Sequence, residues 1–246
     1  MGSGAKDIVS FLSHVVSWFT DRAHWQGPNG IPHRVEEHVV MSLAVVVAAL
    51  VVALPPSLAL GHLRRFGALA VNVSNVGRAI PSFAILVFAA QVVGIGATPA
   101  FIALFVLAVP PLVTNAYVGM ASVPTDVRES AIGMGMTGWQ SARRVELPMA
   151  LPVLFAGVRT TAVQVVATAS LAALVAWGGL GRYIIDGLSQ RDFVQVFAGA
   201  LLVAVLSIAT ELALALVQRL VVSAGLTGRH PGKNDPFVGA ATAAAE

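Results

Sequence analysis

Cysteine is absent from the 246-residue chain, so disulfides, thiol catalysis and cysteine-based metal sites are excluded. Charge is also scarce, because only 11% of the residues are charged, against about 25% in an ordinary soluble domain. No Gly-x-x-x-x-Gly-Lys-Ser/Thr phosphate loop occurs, so ATP hydrolysis of that kind is not expected in this chain. The six histidines show neither metal-ligand spacing nor a His-Glu-x-x-His motif, which argues against a metal site and against an intramembrane metalloenzyme.

Apolar residues, in contrast, make up 57% of the chain and form long runs. A helix of about 20 apolar residues crosses the roughly 30 Å hydrocarbon core of a bilayer. The sequence therefore predicts an all-α membrane protein with five spanning helices and an N-terminal interfacial helix. The predicted spans are residues 39–60, 69–93, 99–117, 151–177 and 193–222.

The remaining segments are assigned around this transmembrane domain, residues 39–222. Residues 1–38 are predicted to form an external leader, in which the apolar face between Ile8 and Phe19 is too short to span and indicates the interfacial helix. Residues 178–192 are predicted to form a re-entrant turn. Residues 118–150 are predicted to form a cytoplasmic loop and residues 223–246 a disordered cytoplasmic tail.

Three proline sites fall inside the predicted spans. Because proline lacks a backbone N–H, Pro55-Pro56 is expected to kink or end the first span. Pro81 is expected to bend the second span, and Pro110-Pro111 to interrupt the hydrogen bonds of the third.

The distribution of basic residues predicts the orientation. Ten of the fifteen Lys and Arg residues fall on the side of the loop 118–150, and five fall on the opposite side. Because cytoplasmic loops are enriched in Lys and Arg, the loop is predicted to be cytoplasmic, with the N-terminus outside and the C-terminus inside. This scatter over loops is typical of membrane topology, and no nucleic-acid partner is expected.

The longest polar stretch between apolar runs extends from Pro124 to Pro152. It predicts two short helices that hinge on glycines. Pro124-Thr125-Asp126 favours a helix start with a capping side chain, and Gly133 and Gly135 interrupt the helical pattern. Thr137-Gly138-Trp139-Gln140 fits a capping box, and Leu147-Pro148 is expected to close the segment.

The spacing of this stretch is similar to that of a known motif. Glu129-Ser130-Ala131, three residues, Gly135, nine residues and Val145-Glu146-Leu147-Pro148 resemble the EAA loop of ABC-importer permeases. Ser130 and Val145 are small departures from that motif. The resemblance implies a cytoplasmic loop that sits in a groove of the ATP-hydrolysing subunit and transmits its closure to the membrane helices. The implied coupling residues are Glu129, Ser130, Ala131, Gly133, Gly135, Thr137, Trp139, Arg143, Val145, Leu147 and Pro148.

Further segments resemble the osmoprotectant branch of these permeases, which imports glycine betaine, choline, carnitine or proline. They are Ala79-Ile80-Pro81-Ser82, Gly94-Ile95-Gly96, Asn115-Ala116-Tyr117, Gly133-Met134-Gly135-Met136-Thr137 and Trp177-Gly178-Gly179-Leu180-Gly181. Arg78 departs from the branch, in which Gln is common before the Ile-Pro-Ser segment.

The resemblance implies a transport subunit, not an enzyme, in the lipid of a bacterial cytoplasmic (inner) membrane. The implied partners are two ATPase subunits that hold ATP and Mg, a second permease copy or paralogue, and an external substrate-binding protein, with no cofactor in this chain. Two alternatives stay open: an importer for another small solute such as an amino acid, and a self-sufficient secondary transporter. The second needs coupling charges at the membrane midplane, where only Glu211 is available.

Candidate gate and charge sites complete the prediction. Gly178-Gly179-Leu180-Gly181 lacks bulky side chains, so this segment, with Trp177 and Pro81, is a candidate gate or pore lining; an ordinary turn is the alternative. Arg78 and Glu211 are the candidate intramembrane charges. An unpaired acid inside a span costs at least about 2.5–3.5 kcal/mol, so Glu211 is expected to pair with Arg159 or Arg78.

Overall fold

The computed structural model describes residues 3–65 and 67–222, and the predicted tail lies outside these residues. Regular structure in the described part of the chain is entirely helical. Ten α-helices follow in order: α1 Ser3–Thr20, α2 Ile31–Leu63, α3 Gly67–Ala79, α4 Ser82–Val93, α5 Ala97–Ala121, α6 Thr125–Gly133, α7 Gly138–Ser141, α8 Leu147–Thr168, α9 Gly181–Gln190 and α10 Phe193–Val221. Two 3-10 helices, Arg22–Trp25 and Ala169–Val175, and a π-helical turn, Ala142–Glu146, complete the order.

Four helical segments of the described chain are long and apolar enough to cross a membrane: α2, α5, the continuous segment Gly138–Val175 and α10. The predicted second span, residues 69–93, consists of two helices, because the chain leaves helical geometry at Ile80-Pro81 between α3 and α4. Proline disfavours the helical conformation of the residue before it, which explains the break. At 12 residues α4 is too short to span by itself, so a fifth span requires α3 and α4 together.

The other prolines do not end their helices. α2 continues beyond Pro55 and Pro56 to Leu63, and α5 continues beyond Pro110 and Pro111 to Ala121. A helix in hydrocarbon tolerates the lost N–H donors because neighbouring turns and hydroxyl side chains keep the backbone satisfied. In the turn that follows Pro55 and Pro56, the hydroxyl of Ser57 donates to the carbonyl of Ala53 at 2.6 Å.

α2 also begins earlier than the predicted span, at Ile31 instead of residue 39. A turn precedes it, in which the N–H of Gly30 donates to the carbonyl of Gly27 at 3.1 Å. Proline in the first turn suits the helix start, since its missing N–H has no intrahelical partner there. The first turns of α2 are therefore built from residues that the sequence places in the leader.

The predicted interfacial helix corresponds to α1, which packs against α10. Phe11 of α1 contacts Phe197 of α10 edge to face, with ring centroids 5.5 Å apart. Trp18 is buried with α9 and α10 residues in a cluster that also contains Leu180, Tyr183 and Ala198. One face of α1 is thus held by the helical bundle.

The main core lies among α2, α4, α5, α8 and the 3-10 helix that follows α8. Small residues let α2 and α5 approach closely: a Cβ on Gly61 would lie 2.6 Å from the Cβ of Met120. We name the two ends of the bundle after the segments that lie there. The loop end carries residues 122–147, and the turn end carries residues 176–192, close to the start of α2.

Candidate functional site

α6 begins as predicted, but its cap differs from the prediction. Pro124 is the N-cap residue and makes no side-chain cap bond. The hydroxyl of Thr125 instead accepts a hydrogen bond of 2.8 Å from Nη1 of Arg64, and Nη2 of Arg64 donates to the carbonyl of Val123. Because Arg64 directly follows α2, these bonds fasten the start of α6 to the end of α2.

α6 ends at the glycines. Gly133 is its last residue, and Gly135 has φ +88°, in the left-handed region. A Cβ on Gly135 would meet nothing within 4 Å, so the backbone conformation, not the available space, requires glycine here. The angle between α6 and α7 therefore depends on this residue.

The predicted capping box of α7 is confirmed. The hydroxyl of Thr137 accepts from the N–H of Gln140 at 3.3 Å, and Oε1 of Gln140 accepts from the N–H of Thr137 at 2.8 Å. Leu147 and Pro148 do not close the segment, because α7 continues through the π-helical turn into α8. Pro148 fits because it stands in the first turn of α8.

A buried carboxylate lies at the centre of the loop end. Glu146 is only 1% exposed, and its Oε1 accepts from the hydroxyl of Ser141 at 3.0 Å. Nδ1 of His62, near the end of α2, lies 2.9 Å from Oε2, and Nε of Arg128, on α6, lies 3.4 Å from Oε1. Nη1 of Arg128 also donates to the carbonyl of His62 at 2.8 Å. We call Ser141, Glu146, His62 and Arg128 the loop-end cluster; it joins α2, α6, α7 and the π-helical turn that leads into α8.

The predicted coupling residues differ in how far they are exposed. Ala131 is buried, whereas Val145, Leu147 and Pro148 are partly buried and hold the segment on the bundle. Glu129 is exposed and makes no ion pair with another described residue. The other exposed residues of the set are Ser130, Gly133, Gly135, Thr137, Trp139 and Arg143.

An apolar groove runs beside the loop-end cluster. It has a volume of about 580 Å³ and lies between α2 and the segment formed by α7 and the π-helical turn. Leu58 and Leu63 of α2 form one wall, and Trp139 and Leu147 lie on the opposite side. The indole of Trp139 is 74% exposed.

At the turn end, the predicted gate segment is a short linker, and residues Gly181–Gln190 of the predicted re-entrant turn form α9. The 3-10 helix ends at Val175, the next residue Ala176 has a left-handed φ of +61°, and Gly179 has φ +79°. α9 then begins at Gly181, where a Cβ would overlap the carbonyl oxygen of Ser170. Leu180 is fully buried, whereas Trp177 and Gly178 are partly buried.

Among the candidate intramembrane charges, Glu211 of α10 pairs with Arg159 of α8, one of its two predicted partners. Nη1 of Arg159 also donates to Oε1 of Gln218 at 2.7 Å, which ties α8 to α10 toward the loop end. Arg78 lies in α3, and its side chain lies outside the described residues. Pro81 stands in the break between α3 and α4.

The comparison with protein families decides the identity. Residues 43–223 match the family described as the binding-protein-dependent transport system inner membrane component. The chain belongs to this family. The matched region contains the loop-end cluster, the predicted gate segment and the Arg159–Glu211 pair, so the family match covers every site described above except the first turns of α2.

Individual relatives of the permease agree with this assignment. It is 37% identical over 196 residues to the glycine betaine/carnitine/choline transport system permease protein of Bacillus subtilis (strain 168), covering 80% of this chain and 90% of that protein. It is 34% identical to the carnitine transport permease protein of Listeria monocytogenes, covering 90% of this chain and all of that protein. Among solved structures, an inward-facing MetNI methionine ABC transporter chain aligns with a TM-score of 0.67 at 25% identity, covering 76% of this chain and 94% of that chain.

Sequence reasoning about the permease missed the side chains that hold the loop to the helices. His62 and Arg128 gave no local signal, because His62 is 84 positions away from Glu146 in the chain. Glu146 did carry one signal: a carboxylate directly before a long apolar run needs a partner when it is buried. Glu37 and His38 were missed because they were assigned to the external leader.

Proposed function

We propose that this chain is the membrane-spanning subunit of an ATP-driven importer for osmoprotectants such as glycine betaine, choline or carnitine. The loop-end cluster carries the proposal, because it gives a chain of this family a physical connection between a surface loop and the membrane helices. The transport activities named for two relatives, at 34% and 37% identity, support the substrate class.

The proposed mechanism begins at the loop. Two ATPase subunits hold ATP and Mg, and one of them receives the exposed surface of α6 and α7, including Glu129 and Trp139. When the ATPase subunits close, the loop moves. Glu146 binds groups from α2, α6 and α7, so it connects the loop directly to the ends of α2 and α8. The movement of the loop is therefore transmitted to these helix ends.

A second permease copy or paralogue forms the other half of the pore, and an external binding protein delivers the substrate at the turn end. In this arrangement the loop end faces the cytoplasm and the N-terminus lies outside. The ten-to-five distribution of basic residues supports that orientation.

The test is co-expression of the chain with an ATPase subunit and a binding protein from the same source, followed by purification and reconstitution into vesicles. We expect the subunits to purify together, and the loaded binding protein to stimulate ATP hydrolysis and uptake of labelled glycine betaine, choline or carnitine. Uptake without any ATPase subunit would instead support a secondary transporter.

An amino-acid importer is the second candidate, and one observation favours it. The similar solved structure is a methionine transporter. Its 25% identity to this chain is lower than the 37% of the B. subtilis relative. Labelled methionine in the same uptake assay separates the two, since ATP-dependent accumulation of methionine without that of a quaternary ammonium compound would refute the osmoprotectant assignment.

A further inference from the structure

Two neighbouring side chains of α2 hold the gate segment at the turn end. Oε2 of Glu37 accepts a hydrogen bond of 2.8 Å from the N–H of Gly179, and Nδ1 of His38 accepts one of 3.2 Å from the N–H of Leu180. These partners are 142 positions apart in the chain. The backbone of the gate segment is therefore positioned by α2.

The contacts of His38 require one protonation state. The imidazole is 1% exposed, and its Nε2 bonds to the carbonyl of Val166 at 2.8 Å. A carbonyl only accepts, so Nε2 carries the proton, and the N–H of Leu180 only donates, so Nδ1 is unprotonated. His38 thus connects α8 to the gate segment through two bonds that use opposite sides of one ring.

Glu37 is held in place by its own neighbours. Nη1 of Arg34 donates to the same Oε2 at 2.8 Å, and Nη2 of Arg34 donates to Oδ1 of Asn29 at 2.6 Å. The hydroxyl of Tyr183 donates to the carbonyl of Asn29 at 2.6 Å. Burial raises the pKa of that hydroxyl to about 12, although the charge of Arg34 lowers it, so Tyr183 remains a donor at physiological pH. A Cβ on Gly178 would overlap the carboxylate of Glu37, so a side chain at this position would displace that carboxylate.

α2 connects this site to the loop end. It is one helix from Ile31 to Leu63, and it carries Glu37 and His38 near its first residue and His62 near its last. At 1.5 Å per residue, the 24 positions from His38 to His62 correspond to roughly 36 Å, about the thickness of a membrane. One element therefore touches both the loop-end cluster and the gate segment.

We propose that α2 couples the loop end to the turn end, and that Glu37 and His38 are the positioning residues through which it sets the backbone of Gly179 and Leu180. The inference rests on the proposed function, because the ATPase supplies the movement at the loop end. When the loop displaces His62, α2 transmits the displacement to Glu37 and His38. These two side chains then move the backbone N–H groups of Gly179 and Leu180, and the gate segment changes shape.

Two substitutions of His38 separate its two bonds. Asn places an amide oxygen where Nδ1 lies and keeps the acceptor for Leu180, whereas Gln places an amide nitrogen where Nε2 lies and keeps only the donor to Val166. In the reconstituted complex, His38→Gln is expected to reduce the stimulation of ATP hydrolysis by loaded binding protein about tenfold, the effect of one unmade buried hydrogen bond. His38→Asn is expected to stay within about threefold of the native stimulation.

Basal ATP hydrolysis and the yield of assembled complex are expected to stay unchanged in both variants. If His38 had only a structural role, its substitution would lower both. Glu37 offers a matched pair, since Glu37→Gln keeps an acceptor for Gly179 and Glu37→Met removes it. Only Glu37→Met is expected to lose the stimulation.

A double variant tests α2 itself. If α2 is the connection, His62→Ala and His38→Gln break the same path, so the double variant is expected to lose no more stimulation than the more severe single variant. Multiplied losses would overturn the proposal, as would equal stimulation in the native and His38→Gln complexes or equal loss in His38→Asn and His38→Gln. A native complex that shows no stimulation at all would refute the proposed function instead.

Discussion

The loop-end cluster predicts a large effect when Glu146 is changed to Ala. The substitution removes the acceptor for Ser141 and leaves His62 and Arg128 without their carboxylate. Breaking a fully buried ion pair costs about 3–5 kcal/mol. The side chains of His62 and Arg128 are 19% and 22% exposed, so water recovers part of this cost, and we expect a loss of about 2–3 kcal/mol in the free energy of unfolding.

The assay is thermal unfolding of the purified permease, with ATP hydrolysis by the reconstituted complex measured in parallel. A loss of that size corresponds to a decrease of about 4–12 °C in the apparent Tm for a chain of this length. Glu146→Gln keeps an acceptor for Ser141 and loses only the charge, so about 1 kcal/mol is expected. Both variants are expected to weaken the response of hydrolysis to loaded binding protein.

Glu129→Ala is the matched control, because Glu129 is an exposed acid of the same loop that makes no ion pair with another described residue. Its free energy of unfolding is expected to stay within about 0.5 kcal/mol of the native value, so its Tm changes little. The ATPase response is expected to fall, because the proposed mechanism places Glu129 against the ATPase. An unchanged Tm for Glu146→Ala would refute the reasoning, since a buried carboxylate with three partners cannot be removed without cost.

Three further predictions concern other sites. Gly135→Val is expected to abolish substrate-stimulated hydrolysis with near-normal membrane levels, whereas Gly135→Asn retains part of it, because Asn tolerates a left-handed φ and a β-branched residue does not; equal activity of the two would contradict this. Arg159→Met or Glu211→Met alone leaves one charge unpaired, at a cost of about 2.5–3.5 kcal/mol, and is expected to lower the Tm of the permease. The double substitution is expected to recover most of that Tm, and additive losses would show that the pair is not coupled. Because the chain lacks cysteine, Ser189→Cys and Arg144→Cys each introduce a unique, exposed thiol. An impermeant thiol reagent outside intact cells is expected to label position 189 only, and labelling at position 144 would show that the assigned orientation is wrong.

Local patterns in the sequence predicted most of the helical structure. Apolar runs indicate helices that cross a membrane, and the capping box at Thr137 and Gln140 depends on residues three positions apart. The break at Pro81 also follows from neighbouring residues, although it separates two helices instead of bending one. The start of α2 was misplaced because its first turns are polar, and those residues are held by the gate segment and by one another, not by lipid.

The contacts that define both sites could not be predicted in the same way. Glu146 and His62, like Glu37 and Gly179, are brought together by the packing of α2 against other helices, and a single sequence does not report such pairs. The Arg159–Glu211 pair was predictable because a charge inside a span has few possible partners. Charges inside the apolar spans are thus the long-range feature that the sequence indicated.

The apolar groove beside the loop-end cluster has a pharmacological consequence. Its volume of about 580 Å³ lies in the range of small-molecule sites, roughly 300–1,000 Å³. A compact apolar compound bound there contacts α2 through Leu58 and the loop through Trp139 and Leu147, and so keeps the two from moving relative to one another. We expect such a compound to inhibit solute uptake without competing with ATP or with the transported solute.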